Sequence, residues 1–190
     1  MTARLCRTAL HVATLLAVAL GATPAAAQQA TPNQLWYQVA VGAGSARFTC
    51  DPCAPGRDGG PAVRAAAGAW ARPGLRVGIT AGAWTHERGD LRESVRHAGL
   101  TAALDVRPGG PLHLIAGLGW VGWRSDPFAY DAADLSVGAG WNVPLVGRWA
   151  LSNTAMLHSA SFGTLRNDDD TAVRGVSLSL ARFEIGLIRR

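Results

Sequence analysis

Residues 98–120 read AGLTAALDVRPGGPLHLIAGLGW, and this stretch decides the fold class. Apolar side chains occupy alternate positions on both sides of the Arg-Pro-Gly-Gly turn at residues 107–110. Successive side chains of a β-strand point to opposite faces, so each half of the stretch has one apolar face. Two such runs around a proline-glycine turn predict a pair of antiparallel strands.

The same pattern recurs along the chain. Pro73, Pro108 and Pro144 lie in short turns, and the intervals between them hold two strand-like runs and one longer polar segment. The predicted strands are residues 34–48, 62–72, 75–87, 95–107, 111–124, 134–144, 148–163 and 173–188. Long loops are predicted at residues 49–61, 88–94, 125–133 and 164–172. An even number of strands with alternately short turns and long loops is typical of a transmembrane β-barrel.

Composition favours a barrel whose aliphatic face points outward to lipid. Charged residues make up only 16% of the chain, and the face opposite the aliphatic side chains is mostly Gly, Ser, Thr and Asn. A soluble ligand-binding barrel, the rival fold, would carry many charges on its outer face. We therefore expect an all-β, eight-stranded antiparallel up-and-down transmembrane barrel. Aromatic residues near the strand ends suit a membrane girdle: Trp36, Tyr37, Trp70, Trp84, Trp120, Trp123, Trp141 and Trp149.

The N-terminus has the pattern of a secretory signal peptide. Arg4 and Arg7 precede an apolar run at residues 8–22, and three alanines follow at residues 25–27. We expect residues 1–27 to be removed on export and residues 28–190 to form the barrel domain. The arginines are scattered along the chain, which does not indicate nucleic-acid binding.

The chain resembles the small outer-membrane β-barrel proteins of the OmpA/OmpX-like and OmpW-like class. The sequence Phe48-Thr49-Cys50-Asp51-Pro52-Cys53 after a glycine-rich first strand is also similar to a group of uncharacterised outer-membrane barrel proteins. The resemblance implies insertion into the bacterial outer membrane by the barrel assembly machinery. We expect no cofactor. Mixed charge at the loop ends suits contact with lipid and lipopolysaccharide.

The last strand changes phase along its length. Val176, Leu178 and Leu180 share one parity, whereas Phe183, Ile185 and Leu187 share the other. A β-bulge near residue 181 would return all of them to one face.

The predicted lumen contains candidate ion pairs. An eight-stranded barrel is just wide enough to be filled by side chains, so an open channel is not expected. Arg182 and Glu184 share a face, and Arg76 and Asp105 both belong to the lumen side. Buried charges should be paired, which favours a structural plug over a proton or ion path.

The two cysteines after the signal segment are Cys50 and Cys53. In an oxidising compartment their spacing favours a disulfide that closes a short turn. Metal binding and an exposed redox role are the alternatives. A metal site needs further ligands, and no third cysteine follows the signal segment.

Residues that could carry catalysis do not form a complete set, so we predict a non-enzymatic protein. Lipid A deacylases of this barrel type pair a histidine with a serine two residues later, but Ala160 stands two residues after His158. Ser159 and Ser161 take the opposite strand face. An outer-leaflet lipid-modifying enzyme is the rival function, although the chain departs from the deacylase pattern at these positions. Acidic and histidine residues at two predicted loops are interpreted as solvated hairpin tips rather than a protease or calcium site: His86, Glu87, Asp90, Glu93, His97, Asp168, Asp169 and Asp170.

Overall fold

The structure is a computed structural model that describes residues 34–49, 56–89, 91–167 and 172–190. These residues form eight β-strands, and none of them forms a helix long and apolar enough to cross a membrane. Residues 1–27, which are predicted to be a signal peptide, lie outside the described residues, and so do Cys50 and Cys53 of the predicted disulfide. The strands are β1 (Leu35–Thr49), β2 (Asp58–Arg72), β3 (Leu75–Arg88), β4 (Leu91–Asp105), β5 (Leu112–Ser125), β6 (Phe128–Pro144), β7 (Trp149–Asn167) and β8 (Ala172–Arg189).

Each strand pairs antiparallel with the next, and β8 pairs with β1 to close the barrel. The closing register runs from Tyr37 opposite Arg189 to Thr49 opposite Ser177 without a shift. Closure leaves no sheet edge unpaired, which is the requirement that a barrel meets. The predicted all-β, eight-stranded antiparallel barrel is confirmed.

The connections differ from the prediction at one end of the barrel. We call the end that joins β2–β3, β4–β5 and β6–β7 the turn end, and the opposite end the loop end. At the loop end β3 reaches Arg88 and β4 starts at Leu91, while β5 reaches Ser125 and β6 starts at Phe128. Most of the predicted long loops are thus strand extensions, because their polar residues alternate with inward apolar ones.

The outer wall carries a band of apolar side chains, here called the belt. On β1 the belt comprises the outward residues from Leu35 to Ala43, and Asn153 is a polar exception on β7. Towards the loop end the belt stops at a polar outward side chain on seven strands: Ser45, Thr85, Arg96, Arg124, Asp131, Ser159 and Ser179. The belt of β1 is nine residues long, close to the ~9–11 residues of a membrane-crossing strand.

Beyond these polar residues lies the loop-end segment, in which the two faces exchange character. Outward side chains are polar, and the inward ones form an apolar cluster that includes Trp84, Tyr130 and Leu180. The inward orientation of Val176, Leu178 and Leu180 shows that the bulge predicted near residue 181 was wrong. The strand keeps its alternation, and it is the environment of its faces that changes.

The aromatic girdle is only half as large as predicted. Tyr37, Trp120, Trp141 and Trp149 are exposed on the outer wall, whereas Trp36, Trp70, Trp84 and Trp123 are buried inside the barrel. Their parity places the buried four on the inward face, where they fill the two ends of the interior.

Candidate functional site

The centre of the barrel interior contains a buried charge network. Arg64 Nε donates to Glu184 Oε2 over 2.6 Å, and Arg182 Nη1 lies 3.2 Å from Glu184 Oε1. Glu184 is fully buried and bridges the two guanidinium groups. Sequence parity had singled out Arg182 and Glu184, but it had missed Arg64.

A histidine extends this network across the interior. Arg182 Nη2 donates to His158 Nε2 over 2.6 Å, and His158 Nδ1 donates to Asp134 Oδ2 over 2.8 Å. An acceptor at Nε2 and a donor at Nδ1 define a neutral imidazole with its proton on Nδ1. His97 lies beside it, with ring centroids 4.8 Å apart and Arg182 Nη2 3.3 Å from its Nε2.

The network is electrically balanced. Arg64 and Arg182 carry two positive charges, and Glu184 and Asp134 carry two negative ones. All four residues are buried, so each charge depends on its partners for the stabilisation that water would otherwise give. The layer suits a structural cross-brace that joins β2, β6, β7 and β8.

A second charged group lies at the turn end. Arg76 Nη2 is 4.0 Å from Asp105 Oδ1, too far for a direct hydrogen bond. The guanidinium also lies 5.7 Å from the ring centroid of Trp36 and 5.4 Å from that of Trp70, within cation–π range. Burial lowers the pKa of Arg190 next to them, and the negative charge of Asp105 opposes that shift. Together these side chains fill the turn end.

The loop-end segment is filled by aromatic packing. Phe48 lies 4.5 Å from Trp123 and 5.1 Å from Tyr130 between ring centroids. Tyr130 Oη lies 3.3 Å from the carbonyl of Ala160 and 3.2 Å from that of Val176. Gly163 makes room for this ring, because a Cβ there would collide with Tyr130. The interior is thus occupied at the turn end, at the centre and at the loop end.

The histidine that the rival enzyme would use is not placed for catalysis. Both ring nitrogens of His158 are engaged, by Arg182 and Asp134. His158 is buried inside the barrel, whereas Ser159 and Ser161 are exposed on the outer wall. A nucleophile–base pair needs hydrogen-bond contact between its members, and opposite faces of the wall separate these residues.

The residues around the β3–β4 hairpin are not brought together either. His86 Nδ1 bonds the carbonyl of Gly59 over 2.7 Å, and Glu87 Oε1 lies 3.8 Å from Arg92. His97 is buried in the barrel interior, four residues along β4 from Glu93 at the hairpin. Asp90 and residues 168–170 lie outside the described residues.

No group of three or more His, Cys, Asp or Glu in the described part of the chain is arranged to hold a metal ion.

Sequence reasoning missed Arg64, Asp134 and His97 as members of the central network. A usable signal exists, since each has the inward parity of its strand. The odd or even position of a residue along its strand does not, however, show which side chain on another strand it contacts inside the barrel. Arg64 and Glu184 are 120 residues apart in sequence and meet only through barrel closure.

Comparison with solved structures gives the same fold. The chain is similar to the crystal structure of Neisserial surface protein A, NspA, with a TM-score of 0.60 and 14% identity over 84% of this chain and 98% of that one. It is also similar to Ail, the attachment invasion locus protein of Yersinia pestis, with a TM-score of 0.50 and 11% identity over 80% of this chain and 97% of that one. No protein-family model matches the sequence, and no curated protein matches it. At this low identity the likeness shows the fold, which is that of small eight-stranded outer-membrane barrels.

Proposed function

We propose that this protein is a non-enzymatic integral protein of the bacterial outer membrane that acts at the cell surface through its loop-end segment. The observation that carries the proposal is the exchange of faces at the polar boundary of the wall. On the turn-end side of this boundary, apolar side chains face outward, as contact with lipid requires. On the loop-end side they face inward, as contact of the wall with water requires.

The dimensions of the belt support this placement. The belt of β1 spans nine residue positions. At a rise of about 3.3 Å each along a tilted strand, this span approaches the apolar band of ~25 Å in outer-membrane barrels. The turn end also carries anchors suited to an interface. Arg189 Nη1 donates to Tyr37 Oη over 3.1 Å, and the rings of Tyr37 and Trp149 meet edge to face 5.7 Å apart.

The filled interior supports a structural role rather than conduction. The layer of Arg64, Arg182, Glu184 and Asp134 lies between the Trp36–Trp70 layer at the turn end and the aromatic layer at the loop end. Interaction therefore falls to the outer surface of the loop-end segment. Its charges are mixed, as in the Arg124–Asp131 pair at 3.1 Å, which suits contact with a lipopolysaccharide layer. Export by the segment at residues 1–27 and insertion by the barrel assembly machinery belong to the same proposal.

The two rival functions have less support. A lipid-modifying enzyme needs a catalytic base that substrate can reach, but His158 is buried and held at both nitrogens. A soluble ligand-binding barrel needs a polar outer wall and an empty apolar interior. The outer wall instead exposes many aliphatic side chains, such as Leu100 and Leu118, each at 66% exposure.

The test is cell fractionation followed by gel electrophoresis of unboiled and boiled membranes. We expect the mature chain in the outer-membrane fraction, with faster migration before boiling because the closed barrel stays compact in detergent. A soluble periplasmic product with one migration in both lanes would contradict the proposal. Intact-mass measurement of the purified protein checks removal of residues 1–27 separately.

A further inference from the structure

The outer wall has a groove at the top of the belt, where β1, β8, β7 and β6 lie side by side. Its volume is about 820 Å³. Small outward side chains form the floor, and larger apolar ones stand beside them. The floor residues are Ala43, Ala155 and Ala181, and the flanking residues are Val137, Leu157 and Phe183.

A row of polar side chains, formed by Arg47, Arg57, Ser159 and Ser179, borders the groove on its loop-end side. Arg47 and Ser159 both lie opposite Ser179 in the strand register, so the three side chains form one row across β1, β8 and β7. Arg57 reaches the same place from the start of β2. Its Nη1 donates to the carbonyl of Ser45 over 3.2 Å, and its Nη2 lies 3.5 Å from Ser179 Oγ.

Two other arginines on the outer wall towards the loop end have a carboxylate neighbour, whereas Arg96 on β4 has none among the described residues and lies away from the groove. Arg124 is paired with Asp131, and Arg92 lies near Glu87. Among the described residues no carboxylate pairs with Arg47 or Arg57, and both side chains are exposed. The row thus presents two positive charges and two serine hydroxyls at the level where the belt ends.

This chemistry matches a phosphate group attached to an acyl chain. Guanidinium groups bind phosphate through paired, charge-assisted hydrogen bonds, and hydroxyls add further donors. Directly below, the groove offers an apolar channel at the depth where a lipid tail begins. A free phosphate ion would use the arginines but would leave the groove without an occupant of matching chemistry.

We propose that this face binds a phosphorylated, acylated lipid of the surrounding outer leaflet. The phosphate contacts Arg47, Arg57 and Ser179, and an acyl chain lies in the groove over Ala181. The inference rests on the proposed membrane insertion and names one lipid-binding site on the inserted wall.

The experiment is native mass spectrometry of the complete mature protein, residues 28–190, in a neutral, phosphate-free detergent. The protein is titrated with diphosphoryl lipid A. We expect one tightly bound lipid per barrel, and at least about tenfold weaker binding for the double variant Arg47→Gln, Arg57→Gln. Arg96→Gln is the matched control, because Arg96 is an exposed boundary arginine on β4, on the far side of the barrel. It should bind lipid as the unaltered protein does.

A second variant tests the groove. Ala181→Phe fills the floor with an apolar ring that a lipid-facing wall accepts, and it should also weaken lipid A binding. Inorganic phosphate at equal concentration should neither bind nor compete. Equal affinity of all variants for lipid A would overturn the proposed site. If only the arginine variant lost lipid A binding, and inorganic phosphate competed with lipid A, the ligand would be a free anion and not a lipid.

The heat-dependent gel shift separates this result from the proposed function. Variants that keep the shift but lose lipid A have inserted barrels with a damaged site. If the unaltered protein shows no shift, the membrane placement itself fails.

Discussion

The belt and the loop-end segment are built from the same eight strands but have opposite sidedness. On β8, Phe183 and Ile185 face outward within the belt, while Leu178 and Leu180 face inward beyond it. The backbone alternation continues without a register shift against β1. The difference shows that alternation defines two faces, and that the surrounding solvent decides which of them is apolar.

The physical cause is the location of water. In the proposed membrane placement lipid surrounds the belt, so burying an aliphatic side chain inside the barrel gains little over leaving it outside. The interior there can hold charged groups, provided that opposite charges lie close together, as Glu184 does to Arg64 and Arg182. Beyond the belt, the same placement puts water around the wall, and the hydrophobic effect then drives Trp84, Tyr130 and their neighbours inward.

The largest expected effect comes from breaking the central network. Glu184→Ala removes the carboxylate that both Arg64 and Arg182 contact, and it leaves two buried positive charges with only Asp134 to balance them. Loss of one partner of a buried ion pair costs about 3–5 kcal/mol. Urea unfolding in detergent, followed by tryptophan fluorescence, should show this loss.

A matched control is Glu87→Gln, which removes an exposed partner of Arg92 at the β3–β4 hairpin. It should leave the unfolding midpoint unchanged, since exposed pairs contribute little. Similar midpoints for Glu184→Ala and Glu87→Gln would show that the central layer is hydrated and not a cross-brace.

The second prediction contrasts two leucines of opposite orientation. Leu180→Ala leaves a cavity in the apolar cluster of the loop-end segment, where Leu180 is 2% exposed. Such truncations cost about 2–5 kcal/mol. Leu118→Ala on the belt should cost much less in lipid vesicles, because lipid tails take the space of the lost side chain. Equal losses in the free energy of unfolding would contradict the proposed exchange of faces.

The belt and its sidedness could be predicted from sequence, but the loop-end segment could not. Pro73, Pro108 and Pro144 mark the turns, and the parity of the aliphatic residues between them gives the outward face. The same parity argument misassigned Val176 and Leu180, because it assumed one solvent along the whole strand.

The central network was predictable only in part, for a related reason. Arg182 and Glu184 are two positions apart on one strand, so parity alone places them on the same side. Their other partners come from distant strands, as Asp134 does, and the pairing depends on barrel closure and on how far each residue lies from the turn end. Sequence pattern gives the face of each residue but not its height relative to residues on other strands.

The third prediction measures where the belt ends. Leu118→Arg puts a charge in the middle of the belt on β5 and should destabilise the barrel in a bilayer by about 2–4 kcal/mol. Thr85→Arg puts the same charge at the polar boundary on β3 and should cost about 0–1 kcal/mol. The measurement is reversible unfolding in phospholipid vesicles. Equal costs at both positions would place Leu118 outside the membrane and move the boundary.

The smallest effect concerns single hydroxyl groups in the two regions. Tyr130→Phe keeps the ring in the loop-end cluster but removes the hydroxyl near the carbonyls of Ala160 and Val176. A buried neutral hydrogen bond contributes about 0.5–1.5 kcal/mol. Tyr37→Phe removes an exposed hydroxyl that accepts from Arg189 at the turn end.

Water can replace the lost bond at Tyr37 but is excluded around Tyr130, which is fully buried. Tyr130→Phe should therefore lower the free energy of unfolding by more than Tyr37→Phe does, in parallel urea titrations. The reverse order would mean that water reaches the interior of the loop-end segment. The apolar cluster would then be an open cavity rather than the packed counterpart of the belt.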